Sequence, residues 1–396
     1  MWRGLKENAL VLLGSATPSV ETMYHAKNGT YQLFHLDERY GGKPLPQVEI
    51  VDMKEELKLG NDLALSYPLQ DAIRETADAG KQTILFLNRR GNSRSLNCIS
   101  CGEIPECPRC SAKLTYHSAN NRLMCHYCGF SQRVPERCPQ CGGPMKPMGT
   151  GTQKVQQELE GICPDIGNIR MDADTVSAAN PHEKILNTFQ HENIPVLIGT
   201  QMVVKGLNLP EVTLVGVLDA DLSLYSENFR AAETTFNMLT QVVGRAGRGD
   251  TPGRAVIQTM VPEHKVITLA AKQDYDSFYA MEIEMRRLQK LPPFGDVAVV
   301  TFTGEDEAQL LRGAVKWKES LQALIQGPDY HMEICTVLGP APCPVPKINY
   351  HYRYRLTLRC RMTRSLRFLL AHLLRQFSQD RANRGVTAFI DVNGYD

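Results

Sequence analysis

The chain has 396 residues, of which 42% are hydrophobic and 22% charged, and its formal net charge is +1. That length allows two or three domains, each with its own core, and no apolar run approaches the roughly 20 residues of a membrane-spanning helix. The opening MWRGLKENALVLLGSATP interrupts its apolar character with Lys6, Glu7 and Asn8 and offers no small-residue cleavage site. That argues against a signal peptide and points to a cytoplasmic protein.

In chain order, the apolar run ALVLL (Ala9–Leu13) leads into GSATPS (Gly14–Ser19). An amphipathic stretch from Pro68 to Gly80 precedes TILFLN (Thr83–Asn88), a short buried-strand pattern that runs on into NRRG (Asn88–Gly91). The next stretch is dominated by cysteine. Of the 12 cysteines, eight form four Cys-x2-Cys pairs: Cys98 and Cys101, Cys107 and Cys110, Cys125 and Cys128, Cys138 and Cys141. A Cys-x2-Cys turn presents two thiolates to one metal at tetrahedral angles, and a second turn completes the site. Disulfides are disfavoured in a reducing cytosol, and a redox Cys-x2-Cys would occur once, beside a βαβ unit. The expectation is two structural zinc ions, with sequential, nested and crossed pairings all open. Little apolar material accompanies the cysteines, so metal binding should supply most of the folding free energy there. Cys163, Cys335, Cys343 and Cys360 are isolated and read as ordinary buried thiols.

Beyond the cysteines the pattern is α/β. VQQELEGI reads as a helix, as do the stretches around Pro181–His191 and Phe229–Val243. IPVLIGT (Ile194–Thr200), VTLVGVLDAD (Val212–Asp221) and AVIQTM (Ala255–Met260) read as buried strands. Such alternation implies a parallel sheet. Thr200, Gln201, Lys205 and Gly206 fall just past a strand, where ligands of open α/β sheets bind. QVVGRAGR places Gln241, Arg245 and Arg248 together; two arginines three apart on a helix would share a face and reach one phosphate group. Asp219 and Asp221 read either as functional acids or as parts of a strand-end turn.

LPPFG (Leu291–Gly295) stops the helix EIEMRRLQK and looks like a domain boundary. The order beyond it is strand (297–303), helix (305–325), strand (331–338), strand (352–360), helix (364–383) and strand (386–392), a βαββαβ or split βαβ arrangement. The proline-rich run GPAPCPVPK reads as a stiff loop. From Lys347 onward there are ten basic and three acidic residues, a net +7. Arg353, Arg355 and Arg359 alternate with Tyr354, Leu356 and Leu358, so one strand face would carry a row of arginines able to grip successive phosphates.

Taken together, GSATPS, ILFLNRRG, IGTQMVVKGLNLP…LDAD and QVVGRAGR resemble motifs III to VI of superfamily 2 helicases. An eight-cysteine insert directly after the fourth motif is similar to the PriA family of primosomal DNA helicases, also called primosomal protein N′. The resemblance runs from Gly14 to the end. It implies an ATP-dependent 3′→5′ DNA helicase for fork restart and primosome assembly, using ATP, Mg²⁺ and two Zn²⁺. Arg245 and Arg248 would be arginine fingers, Gly206 and Gln241 would line the nucleotide cleft, and Thr200 would contact the DNA backbone. Ser15, Thr17 and the segment near Asp219 would couple nucleotide state to lobe movement. The resemblance also implies nested zinc pairing, with Cys98, Cys101, Cys138 and Cys141 as one site. Expected partners are branched and single-stranded DNA, single-strand binding protein and primosome proteins.

The expected organisation is the tail of a first helicase lobe (1–20), a linker (21–66), a RecA-like second lobe (67–97 and 142–268), the zinc-binding insertion (98–141), a helical linker (269–291) and a C-terminal DNA-binding domain (292–396). No G-x4-G-K-[ST] phosphate loop occurs in the sequence, and LDERY (36–40) follows GSATPS where the family's acidic box precedes it. The chain alone is therefore expected not to hydrolyse ATP. The alternative reading is a truncated, catalytically inactive DNA-binding or primosome-scaffold module. A zinc-ribbon RNA-binding protein would leave QVVGRAGR unexplained.

Overall fold

The computed structural model of the chain describes residues 2–36, 44–88, 94–98, 100–101, 103–117, 121–148, 151–171, 181–200, 209–226, 228–249, 251–328, 330 and 335–394. In chain order it begins with helices α1 (Trp2–Lys6) and α2 (Val20–Lys27), strand β1 (Gln47–Asp52), helices α3 (Met53–Lys58) and α4 (Tyr67–Asp78), and strand β2 (Gln82–Leu87). The cysteine-rich stretch forms β3 (Arg94–Cys98), β4 (Thr115–His117), β5 (Arg122–Met124), β6 (Ser131–Arg133) and β7 (Met145–Met148). Next come α5 (Thr152–Ile162), β8 (Asn168–Met171), α6 (Pro181–His191), β9 (Val196–Gly199) and β10 (Val212–Leu218). They are followed by α7 (Ala231–Val243), β11 (Arg254–Thr259), α8 (Lys265–Ala271) and α9 (Tyr275–Leu288). The last elements are β12 (Asp296–Gly304), α10 (Glu307–Gln326), β13 (Cys335–Ile348), β14 (His351–Cys360), α11 (Arg364–Gln379) and β15 (Val386–Val392). Among the described residues, no helix is long and apolar enough to cross a membrane.

The chain divides into two compact units. One comprises Met1–Asp62, Ser66–Asn88 and Val204–Met285; the other comprises Leu63–Leu65, Arg89–Val203 and Arg286–Asp396. In the first, four strands run in parallel in the order β1-β11-β10-β2. β2 and β10 are buried along their whole length, in keeping with their mostly apolar sequences and with strands covered on both faces. Helix α4 starts where the Ser66 hydroxyl accepts the Leu69 N–H, and it lays Leu69, Ala72 and Ile73 against β2 and β10. β1 lies within the stretch 21–66 that reads as a linker. QVEIVD has neither an unbroken apolar run nor a clean alternation, and it is held as an edge strand by parallel pairing of its backbone with β11.

The second unit contains three pieces. β6-β5-β4-β3-β7 form a small antiparallel sheet in the cysteine-rich stretch. β8 and β9 pair in parallel, with α5 and α6 packed on them. The C-terminal sheet has the order β13-β14-β12-β15 and is antiparallel throughout, the split βαβ topology expected from the order of its elements. Helices α10 and α11 cover one face around Phe302, whose ring meets Trp317 edge-on at 6.0 Å and Phe377 at 5.3 Å.

The proline-rich run 339–347 is not a loop, contrary to expectation. It lies inside β13, with shifts of register between Leu338 and Ala341 and between Pro342 and Lys347. Proline is tolerated there because β13 is an edge strand and its missing N–H groups need no partner on the open side. Residues 331–334, expected to begin this strand, lie outside the described residues. Helix α11 ends at Gln379 rather than continuing to residue 383, because Asp380 turns the chain and its carboxylate accepts the Ala382 N–H. Cys163, Cys343 and Cys360 are buried as expected, and Cys335 is half-buried.

Candidate functional site

The eight paired cysteines converge into two tetrads. Cys98, Cys101, Cys138 and Cys141 form one; Cys107, Cys110, Cys125 and Cys128 form the other. Within each, the four sulfurs lie within 4.8 Å of one another, and Sγ–Sγ separations include 3.4 Å (Cys98–Cys141), 3.3 Å (Cys101–Cys141), 3.7 Å (Cys101–Cys138) and 3.6 Å (Cys107–Cys128). Disulfide sulfurs would lie about 2.05 Å apart, whereas a tetrahedral ion with Zn–S bonds of about 2.3 Å needs sulfurs about 3.8 Å apart. The donor set therefore fits zinc, and the nested pairing is the one found. All four positions of each tetrad are protein thiolates, so the ions would be structural.

Local chain geometry makes each cage. Cys98 N–H bonds to the Glu103 carbonyl, Cys107 N–H to Ala112, Cys125 N–H to Phe130 and Cys138 N–H to Gly143, each over 2.8–2.9 Å, which folds four tight knuckles. Four thiols so close share protons unequally. Burial opposes the Cys98 thiolate, yet the Cys101 N–H, the Cys141 thiol and the Ser100 N–H bring it down to about 6. Cys101 is pushed up to about 12: its Glu103 N–H favours the thiolate, but the neighbouring Cys141, Cys98 and Cys138 sulfurs oppose it. A divalent cation removes this conflict by compensating all four charges at once. The inner tetrad also has a small apolar core, Leu96, Leu114 and Leu123, each at most 1% exposed. Metal binding is therefore helped by hydrophobic burial that the composition of the segment understates.

In the first unit, QVVGRAGR closes α7. The helix ends at Val243 with Gly244 as its cap, so Arg245 and Arg248 sit on the turn that follows rather than on a helix face. Arg245 N–H bonds to the Val242 carbonyl, Ala246 N–H to Val243 and Gly247 N–H to Val212. Gly247 has φ +68°, and a Cβ there would lie 2.3 Å from the Gly253 nitrogen. The glycines thus let two backbone segments touch and fix the direction of the arginines. Burial, and after it the adjacent Arg248 charge, lower the Arg245 guanidinium below its ordinary value. Arg248 is exposed, and its Nε donates to the Gly244 carbonyl at 3.2 Å. Gln241 is exposed in the last turn of α7. Thr200 follows β9 in the second unit and is half-buried. Gly206, with Gln201 and Lys205, lies outside the described residues, as do Arg89, Arg90 and Gly91 of NRRG.

The carboxylate of Asp221 takes a structural position at the strand end. Asp221 accepts the Thr259 hydroxyl at 2.9 Å and the Met260 N–H at 3.2 Å. Asp219 has φ +51°, and its carbonyl accepts from Asn88 Nδ2, which also reaches the Ala220 carbonyl and the Ser223 hydroxyl. Asn88 therefore ties the end of β2 to the end of β10, a contact that the motif spacing does not reveal.

On the C-terminal sheet, Leu356 and Leu358 are fully buried beneath the helices, so Arg353, Arg355 and Arg359 occupy the opposite, helix-free face. Across β12 they stand opposite Thr303, Thr301 and Val297. Phe389, 51% exposed, shares the Thr301–Arg355 row on β15. Sequence reasoning missed Phe389, because an aromatic in a strand usually signals a core. Only the cross-strand register puts it beside the arginines.

Three family models match the chain: a primosomal protein N C-terminal domain over residues 287–395, a PriA DNA helicase Cys-rich region over 107–133, and a helicase conserved C-terminal domain over 163–250. A replication restart protein PriA of Bacillus subtilis is 42% identical over 386 residues, which cover 97% of this chain and 47% of that protein. The corresponding protein of Synechocystis is 40% identical over 346 residues, 85% of this chain and 41% of its own. That of Rickettsia felis is 38% identical over 333 residues, 82% of this chain and 51% of its own. The chain thus spans about half the length of the curated relatives it matches.

Proposed function

This chain belongs to the PriA family of replication restart proteins, and on that premise we propose that it is the C-terminal part of an ATP-dependent 3′→5′ DNA helicase acting in fork restart and primosome assembly. The observation that carries this reading is the glycine-bound turn that presents Arg245 and Arg248 at the end of α7. Two guanidinium groups fixed by backbone hydrogen bonds suit charge stabilisation on a γ-phosphoryl group in transfer. Gly206 and Gln241 would line the same nucleotide, which ATP and Mg²⁺ would fill in the complete enzyme. Thr200 would touch the DNA backbone. The two four-cysteine sites would hold Zn²⁺ and so keep the insertion folded.

In the same reading, the row of Arg353, Arg355 and Arg359 contacts phosphates of branched or single-stranded DNA, and Phe389 offers a base a stacking surface. Residues 67–97 and 142–268 act as the second lobe, residues 98–141 as its zinc insertion and residues 292–396 as the DNA-binding domain. Single-strand binding protein and primosome components are the proposed protein partners, in the cytoplasm.

The phosphate loop that such an enzyme needs is absent from the sequence of residues 1–396. Purified chain mixed with forked DNA and ATP should accordingly bind the fork without turning over ATP. DNA-stimulated hydrolysis at helicase-like rates would contradict the catalytic part of the reading, and failure to bind a fork would contradict its DNA-binding part.

A further inference from the structure

The second unit contains one contact that the helicase reading does not use. The tip of the β13–β14 hairpin, residues 347–350, rests on the knuckle of the inner cysteine tetrad. Ser111 N–H bonds to the Lys347 carbonyl at 2.9 Å, and Tyr350 N–H bonds to the Arg109 carbonyl at 2.7 Å. Between these two bonds, the Asn349 N–H points at Cys110 Sγ, 3.1 Å away. Ile348 packs on the small core formed by Leu96, Leu114 and Leu123.

The donor to Cys110 is unusual for this module. At the second cysteine of each of the other three pairs, an N–H two residues further along the chain serves the sulfur: Glu103 for Cys101, Phe130 for Cys128 and Gly143 for Cys141. At Cys110 the hydrogen bond comes from a residue 239 positions away. Asn349 and Tyr350 are the two central residues of the hairpin turn, and both take positive φ, +47° and +69°, as a two-residue turn between twisted strands requires. Burial is also unequal between the tetrads. Cys101 and Cys141 of the outer one are exposed, whereas Cys107, Cys110 and Cys125 of the inner one are buried.

We propose that the Asn349 N–H completes the inner zinc site, so that the metal there latches the C-terminal sheet to the cysteine-rich module. An N–H directed at a zinc-bound thiolate offsets its charge and orients it, and such outer partners strongly affect metal affinity. The coupling is reciprocal: the docked hairpin slows loss of the inner zinc, and the bound zinc keeps the hairpin docked. The outer zinc has no share in this latch. The proposal does not depend on the DNA-binding or ATPase reading.

Zinc release from the full chain can be followed with a chromophoric chelator while hydrogen exchange is read at residues 345–352. The wild-type chain should release zinc in two steps, the faster from the outer site, and exchange at the hairpin tip should rise only with the slower step. Asn349→Pro removes the N–H and cannot take the positive φ of the turn, so it should release the hairpin tip and speed the slow step at least about ten-fold, in line with the 10- to 100-fold effects of outer partners, and leave the fast one unchanged. Asn349→Gly keeps the N–H and the positive φ, and should match wild type. An unchanged slow step in Asn349→Pro would overturn the proposal. So would wild-type hairpin protection that survives complete removal of zinc, a reading that needs no variant to fold.

Discussion

Arg230 and Glu21, 209 positions apart in sequence, form an ion pair with Nη2 2.8 Å from Oε1. The arginine side chain is only 7% exposed, and its guanidinium lies 4.2 Å over the Phe229 ring. Glu21 sits in the first turn of α2, directly after GSATPS, where Ser19 caps the helix by accepting the Thr22 N–H. The Tyr275 hydroxyl donates to the Pro18 carbonyl at 2.8 Å, and Lys27 Nζ lies 4.5 Å over the Tyr279 ring. Three contacts thus fasten GSATPS and the helix α2 that follows it to Arg230 at the start of α7 and to α9. Glu21→Ala removes one member of a largely buried pair and should cost about 3 kcal/mol. Urea denaturation of the chain measures it, and a loss below about 0.5 kcal/mol would mean that solvent screens the pair.

The turn that holds Arg245 and Arg248 depends on close backbone approach. At Gly247 an added Cβ meets both the Gly253 backbone and a φ of +68°. Gly247→Ala should therefore destabilise the chain by at least about 2 kcal/mol. Gly80 also has positive φ but nothing within 4 Å of its Cβ position, so Gly80→Ala should cost only about 1 kcal/mol. Thermal unfolding of the two variants side by side separates steric contact from backbone strain.

Arg248 is exposed and Arg245 half-buried, so their substitutions should differ. In the full-length protein, Arg248→Ala should lower DNA-stimulated ATP turnover by about 10³-fold while fork affinity stays within about two-fold. Arg245→Ala should lower turnover and stability together, because that side chain is half-buried. Steady-state ATPase and fork-binding titrations decide the first case. Loss of both activities in Arg248→Ala would make that arginine structural.

What could be read from sequence depended on how local the determinant is. The eight cysteines announced their chemistry because ligand spacing is a property of neighbouring residues, although the nested pairing came only with the family resemblance. β2 and β10 were legible as mostly apolar runs, and the βαββαβ order as alternating strands separated by amphipathic helices. β1 was not, since an edge strand held by backbone pairing needs no distinctive side chains. The prolines of 339–347 suggested a loop because nothing local shows that β13 is an edge strand. The arginines of QVVGRAGR were found, but their setting was not: Gly244 ends the helix, and only the packing of Gly247 on Gly253 fixes the turn. The Arg230–Glu21 pair and the Asn349–Cys110 contact join residues too far apart in sequence for any pattern to link them.

The DNA grip proposed for the helix-free face of the C-terminal sheet rests on its row of arginines. The most direct test is the salt dependence of fork binding by the wild-type chain and by a variant with Arg353, Arg355 and Arg359 all changed to alanine. Each phosphate contact removed should lower the slope of log affinity against log salt by about 0.7 to 0.9. The triple variant should show a slope shallower by about 2 to 3, with fork affinity falling most at low salt. Identical slopes and affinities for the two proteins would contradict it.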